Sequence, residues 1–205
     1  LKLLGLSADA KFALINGDFA SKGYSATRNG SDWVIKGVKF EDIGNLKFMD
    51  INASSSITAT GTTQELDASG VAIAGKESAE HNFGEVASIQ NMDGTFKFNG
   101  AEFDFSNVGT LTSKMTNIHT IDLRDSSSNE IKNLKLDDLL KISGVSNDIK
   151  ILGGTNDKVS FKNETGKTWT KGSVVNEGGL DFDVYSIEGS TKLVKIQTDI
   201  NDQII

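Results

Sequence analysis

The side chains able to do chemistry in this chain are mostly oxygen donors. Asp148, Asn156 and Asp157 stand closest together, with Asn147 beside Asp148 and with Asp181, Asp183, Asp199, Asn201 and Asp202 further along. Calcium takes about 6–8 oxygens from carboxylates, amides and carbonyls. Asn147-Asp148 and Asn156-Asp157 form the best local cluster if the intervening strand ends near where it began. Asp148, Asn156 and Asp157 are therefore the expected metal ligands, calcium the expected ion, and no other cofactor is expected. No Asp-x-Asp-x-Asp-Gly loop orders these residues, so solvated turn residues are the competing reading. Catalytic chemistry has less to work with. His81 and His119 are the only histidines, and the absence of Cys excludes disulfides, thiolate metal sites and cysteine catalysis. No Gly-x-Ser-x-Gly elbow, phosphate-binding glycine loop or His-Glu-x-x-His occurs. Asp181 and Asp183 share one strand face, and a carboxylate pair can cleave a glycosidic bond, which leaves a glycoside-cleaving enzyme as a remote alternative. Trp33 and Trp169 could form a sugar platform, but core packing is the expectation for both.

The elements that position these residues read as β. The chain has 205 residues, no Pro and 21 Gly. Ser, Thr and Asn supply about a quarter of it, a composition suited to short strands and tight turns. Net charge is −7 without a basic stripe, which disfavours nucleic-acid phosphates. No run of about 18 apolar residues occurs, so no membrane insertion is expected. The chain begins without Met and without a signal peptide, so it is expected to be a piece of a longer protein, although a cleaved signal peptide would also explain the start.

Along the chain, a little helix is expected around Ala8–Ile15. Strand signals follow at Trp33–Ile35, Val38–Phe40, Leu46–Ile51 and Ser56–Thr60, with Leu66–Ala79 ambiguous, then at Val86–Ile89 and Phe96–Phe98. Asn99-Gly100 reads as a two-residue hairpin joining Phe96–Phe98 to Phe103–Phe105. Leu136, Leu139, Leu140 and Ile142 fit one face of a helix near 136–142, stopped by Gly144. An antiparallel meander is expected from Ile149 onward, through Lys158–Phe161, Thr168–Val175, Phe182–Ile187 and Lys192–Thr198. The fold class is thus all-β, a short-strand β-solenoid or a sandwich, with the solenoid favoured for the middle of the chain. A boundary is drawn between a β-rich part, 1–112, and a C-terminal β module, 113–205, unless the two form one continuous domain.

The second half also resembles a known module. Met115–Leu123, Asn133–Ser143, Ile149–Val159, Trp169–Gly172, Phe182–Gly189 and Leu193–Asp199 follow in an order similar to that of a module of very large RTX-type bacterial adhesins and surface-layer proteins exported by type I secretion. The resemblance implies an extracellular or cell-surface location, a non-catalytic structural or adhesive role, and calcium. It implies as partners other copies of the protein, neighbouring domains of the parent chain, or a host or cell-surface glycan or protein. A calcium-organised domain binding glycan or peptide is the alternative role. The sequence departs from the family's calcium repeat, Gly-Gly-x-Gly-x-Asp. Gly153-Gly154-Thr155-Asn156-Asp157-Lys158-Val159 is one shortened copy, unable to share ligands with a stacked neighbour.

Overall fold

The structure, a computed structural model, describes the chain apart from residues 5, 7–11, 16–18, 31, 53–55, 107–114 and 145–147. Strands hold 52 % of the described residues and helices 8 %, so the fold is all-β. The described residues form two compact units, Leu1–Ala87 and Ser88–Ile205. This division precedes the boundary drawn from the sequence, part of which falls on residues 107–114, outside the described ones. Among the described residues no helix is long and apolar enough to cross a membrane.

In the first unit the strands are β1 (Lys2–Leu4), β2 (Phe12–Leu14), β3 (Ser25–Asn29), β4 (Asp32–Lys36), β5 (Phe48–Asp50), β6 (Thr58–Gly61), β7 (Gln64–Leu66), β8 (Ala72–Glu77) and β9 (His81–Glu85). Antiparallel pairing gives a sheet in the order β3-β4-β1-β6-β9, while β7 and β8 form a separate two-stranded hairpin and β2 pairs with β5. Leu3, Ile35, Phe48, Ile57 and Ala59 are buried together at the centre, with Phe12 and Trp33 packed against them. The helix expected over Ala8–Ile15 is corrected where it is described. Phe12–Leu14 is strand, its backbone paired to Asp50, Met49 and Phe48. Val38–Phe40 is likewise not a strand, since Phe40 opens a 3-10 helix, Phe40–Asn45. The ambiguous stretch Leu66–Ala79 contains the β7–β8 hairpin.

In the second unit the strands are β10 (Ser88–Met92), β11 (Thr95–Asn99), β12 (Glu102–Asp104), β13 (Thr120–Asp122), β14 (Glu130–Leu134), β15 (Asp148–Leu152), β16 (Lys158–Phe161), β17 (Trp169–Glu177), β18 (Leu180–Ile187), β19 (Leu193–Gln197) and β20 (Asn201–Ile204), with one helix, α1 (Leu136–Ser143). Two parallel ladders run side by side. In one, β11, β13, β15 and β19 pair in parallel; in the other, β12, β14, β16 and β20 do. The chain thus makes four rungs, each a strand of the first ladder, a corner, and a strand of the second. Register puts like residues over one another. Phe96, Ile121, Ile151 and Ile196 form one buried column, and Phe103, Ile131 and Val159 another. Stacked strands lie about 4.8 Å apart, so each column is in continuous side-chain contact. This is the β-solenoid expected for the middle of the chain, and it continues to Ile204.

The first ladder is flanked by antiparallel strands, β10 against β11 and β18 then β17 against β19. The expected meander is therefore β17–β18–β19 alone, because β15 and β16 belong to the parallel ladders. The Asn99-Gly100 hairpin is corrected as well. β11 and β12 do not pair with each other, and Asn99-Gly100 turns the corner between ladders, with Gly100 at φ +57°. The tight hairpin is instead β10–β11, through Asp93 and Gly94 at φ +51° and +79°, both in the left-handed region that a type I′ turn requires. Helix α1 buries Leu136, Leu139 and Ile142, whereas Leu140 is exposed, so the apolar face is narrower than the sequence suggests. Gly144, at φ +57°, follows its last residue.

Candidate functional site

The expected calcium ligands are placed by the corners of the stack. Asp157 sits in the third corner, between β15 and β16, and is buried. Its Oδ1 accepts the backbone N–H of Asn129 at 3.0 Å, and its Oδ2 accepts that of Gly154 at 2.8 Å. Asn129, one rung earlier, is fully buried and repeats the device. Its Oδ1 accepts the backbone N–H of Ala101 at 2.9 Å, and its Nδ2 donates to the Leu123 carbonyl at 2.9 Å and to Asp125 Oδ1 at 3.0 Å. Each corner side chain thus closes the backbone of the rung before it. Unpaired buried N–H groups are costly, and these corners leave the sheet ladders where no strand partner can serve them. The device stops at the last rung. There Ile200 takes the position next to Asn201, and the Asp157 N–H is taken by Gly154 O at 3.0 Å.

Asn156 lies in the same corner, exposed, its carbonyl accepting Ser128 Oγ at 2.7 Å. Asp148 opens β15, at the other end of the strand that leads to the corner, about 13 Å away at the usual strand rise. The structure therefore joins Asn156 to Asp157 but does not bring Asp148 to them, because β15 is extended and does not return. Asp148 belongs to an ion network on the open face of the first ladder. Lys195 Nζ lies 2.9 Å from Asp148 and 2.6 Å from Glu177, and Lys150 Nζ lies 2.6 Å from Glu177. Hydrogen bonds from these two lysines hold the Glu177 carboxyl down to about 2. Asn147 lies outside the described residues. Among the described residues no three His, Cys, Asp or Glu side chains converge as a metal cage.

The Asp181–Asp183 pair is divided by its partners. Asp181 accepts Asn176 Nδ2 at 2.7 Å at the exposed end of β18. Asp183 enters a half-buried cluster at the last rung, where Lys171 Nζ lies 2.8 Å from Asp183 and 3.3 Å from Asp202. Register aligns Asp202 with Val159, so a carboxylate takes the next place in an otherwise apolar column. Tyr185 lies beside it, its ring 5.6 Å from Lys171 Nζ. Burial first, then the Asp202 carboxylate, push the Tyr185 phenol up to about 12. The hydrogen bond to Asp183 raises Lys171 above the ordinary lysine range. Trp169 is packed as expected, 3 % exposed, with its ring 4.5 Å from that of Phe161. His119 is exposed next to β13, its Nδ1 3.3 Å from Thr120 Oγ1, and His81 lies on β9 with Nε2 3.3 Å from Ser78 Oγ.

Sequence reasoning missed an apolar cleft in the first unit, of about 540 Å³. Its volume falls within the range of about 300–1,000 Å³ usual for small-molecule sites. One wall is the end of β4 and the start of the 3-10 helix, with Phe40 and Ile43; the other is Gly61–Gln64 with Leu66; Ile35 and Phe83 also line it. Phe40 meets Phe83 edge-on at 5.7 Å yet stays 55 % exposed, as does Leu66. Phe40 was legible only as a strand residue, and the cleft depends on the 3-10 turn that replaces that strand. Compared with protein-family models, with curated proteins and with solved structures, the chain finds no match.

Proposed function

We propose that this chain is a non-catalytic structural and adhesive module of a secreted bacterial cell-surface protein, a surface layer or a giant adhesin. The observation that carries the reading is the use made of the polar residues at the corners. Asn129 and Asp157, the most deeply buried amide and carboxylate of the stack's corners, spend their hydrogen bonds on the backbone of adjacent rungs. That chemistry serves spacing and rigidity, which suits a rung-on-rung rod. The acidic balance and the resemblance of residues 115–199 to RTX-type modules support an extracellular place, with other copies or neighbouring domains as partners. Antibodies raised against this chain test the reading on cells that make it. Labelling of intact cells is the expected result; labelling only after permeabilisation overturns it.

A second reading, a binding domain for glycan or peptide, is favoured by the exposed aromatic cleft of the first unit. Calcium enters that reading through Asn156 and Asp157 alone, since Asp148 is held by Lys195. Binding to a glycan array that is lost in Phe40→Ser would establish it in place of a purely structural role.

A further inference from the structure

We infer that Asn29 is a site of spontaneous covalent modification: its side-chain amide is displaced by the backbone nitrogen of Gly30, and residue 29 becomes a mixture of isoaspartate and aspartate. This goes beyond the structural role proposed above and does not rest on it. Asn-Gly steps occur at 16, 29 and 99, and the first lies outside the described residues. The same dipeptide meets opposite surroundings at the other two.

The reaction needs only water. The Gly30 nitrogen gives up its proton and attacks Asn29 Cγ. A bond forms between that nitrogen and Cγ, the Cγ–Nδ2 bond breaks, and ammonia leaves with the proton, which closes a cyclic imide. Water then opens the imide at Cγ, to give aspartate, or at the Asn29 carbonyl carbon, to give isoaspartate with an extra methylene in the backbone. The sum is an amide and water going to an acid and ammonia, with nothing oxidised or reduced. Glycine favours the closure because no Cβ stands in the way of the ring. What varies from place to place is whether the nitrogen can lose its proton and whether the backbone is free to bend into the ring.

At Asn29 both conditions are met. Asn29 is exposed and ends β3, paired with Asp32 of β4, so the step heads a hairpin turn with Gly30 at φ +64°. Among the described residues no backbone acceptor takes the Gly30 N–H. β3 is the edge strand of its sheet, so the turn bends without displacing a neighbouring strand. Arg28 lies over the step, its Nε donating to the Gly30 carbonyl at 3.0 Å. A cation there favours loss of the nearby amide proton and supports the negative charge of the closing ring. The carboxylate across the strand pair, Asp32, is held by Lys2 at 2.8 Å.

At Asn99 both conditions fail. The Gly100 N–H donates to Asp125 Oδ2 at 3.1 Å, and a carboxylate beside that nitrogen opposes an anion on it. The Ala101 N–H is held by Asn129, and Asn99 itself pairs with Ser88. The corner must therefore open before a ring can close. The product at Asn29, by contrast, puts a new carboxylate opposite Asp32, where like charges weaken a strand pair.

Incubating the folded chain at mildly alkaline pH in heavy-oxygen water, then locating the label by tandem mass spectrometry after digestion in ordinary water, tests this. The expected result is heavy oxygen accumulating at residue 29, and at residue 99 at least about tenfold more slowly. In urea the two positions should react at similar rates, because the surroundings that distinguish them are gone. Arg28→Gln should slow the reaction at 29 about threefold, as one exposed charge allows, and leave 99 as it was. Equal rates at 29 and 99 in the folded chain, no label at 29 in the folded chain, or an Arg28→Gln variant that reacts at 29 as fast as wild type overturns the inference.

Discussion

Asn129 is the residue on which the second unit depends most. It is fully buried and answers backbone groups at 101 and 123 while its own N–H is answered by Asp157. Asn129→Leu leaves the buried Ala101 N–H without an acceptor. That group alone should cost about 1–3 kcal/mol, read as a lower urea midpoint with an unchanged slope; an unchanged midpoint would mean that water or a shifted corner takes over. Trp169 makes a different kind of contribution. Trp169→Ala should cost about 3–5 kcal/mol by cavity formation against Phe161. Trp169→Phe should cost far less, because the buried indole Nε1 has no partner among the described residues and its loss strands nothing. Equal losses in the two variants would show that the indole nitrogen matters after all. Tyr185 carries a pH signature. Its phenol is pushed up to about 12, so the folded state favours the neutral form. The associated stability is fully present below pH about 10, the unfolded value, and is lost as pH rises toward about 12. Of the chain's 2 Tyr, absorbance titration should show one ionising near pH 12, absent in Tyr185→Phe. Both ionising near pH 10 would contradict the burial assigned to it.

Elements were largely legible from the sequence, but their pairing was not. The helix and the strands β15 to β19 fall where apolar runs and glycines put them, whereas β14 and β20 stand where no strand was expected. What the residues could not show is which strand lies beside which. The rungs are joined by return segments over residues 105–119, 135–147 and 162–192, and the last, about twice as long as the others, breaks the period of the first three rungs. Asn99-Gly100 illustrates the point. Its residues permit a hairpin, but Gly100 N–H is held by Asp125 and Ala101 N–H by Asn129, and those distant partners turn the same dipeptide into a corner. A signal was present in the equal spacing of 101, 129 and 157, and it becomes readable only once the rungs are known. The calcium ligands failed to converge for a related reason, since a straight strand separates Asp148 from Asp157. The open side of β20 is the element where pairing could go wrong. Among the described residues β20 pairs only with β16, and an unpaired edge is a template for another chain. Asp202 stands in the column of Phe103, Ile131 and Val159 and is tied down by Lys171. This inward charge closes the stack. Asp202→Val should extend the apolar column to the open end and cause concentration-dependent self-association in sedimentation, with wild type unchanged; a variant that stays monomeric would show that the edge is closed by something else.

At the scale of the whole molecule, the central claim is that apolar columns and corner hydrogen bonds hold the stack without an ion. Asp157, the residue best matched to a calcium repeat, has both carboxylate oxygens engaged by backbone N–H groups, so it has a structural use that competes with ligation. The proposed RTX-type reading argues the other way, toward a fold assembled by calcium. The two accounts differ by an amount that is easy to measure. A ligand at a hundredfold excess over its dissociation constant stabilises the folded state by about 2.7 kcal/mol, and extracellular calcium modules bind at about 0.1–1 mM. The decisive measurement is urea denaturation of the whole chain in chelator and again in tens of millimolar calcium. The expected result is a cooperative transition in chelator with nearly the same midpoint in calcium. A chain that is unfolded in chelator and folds on adding calcium would contradict the account and return Asn156 and Asp157 to the role of ligands.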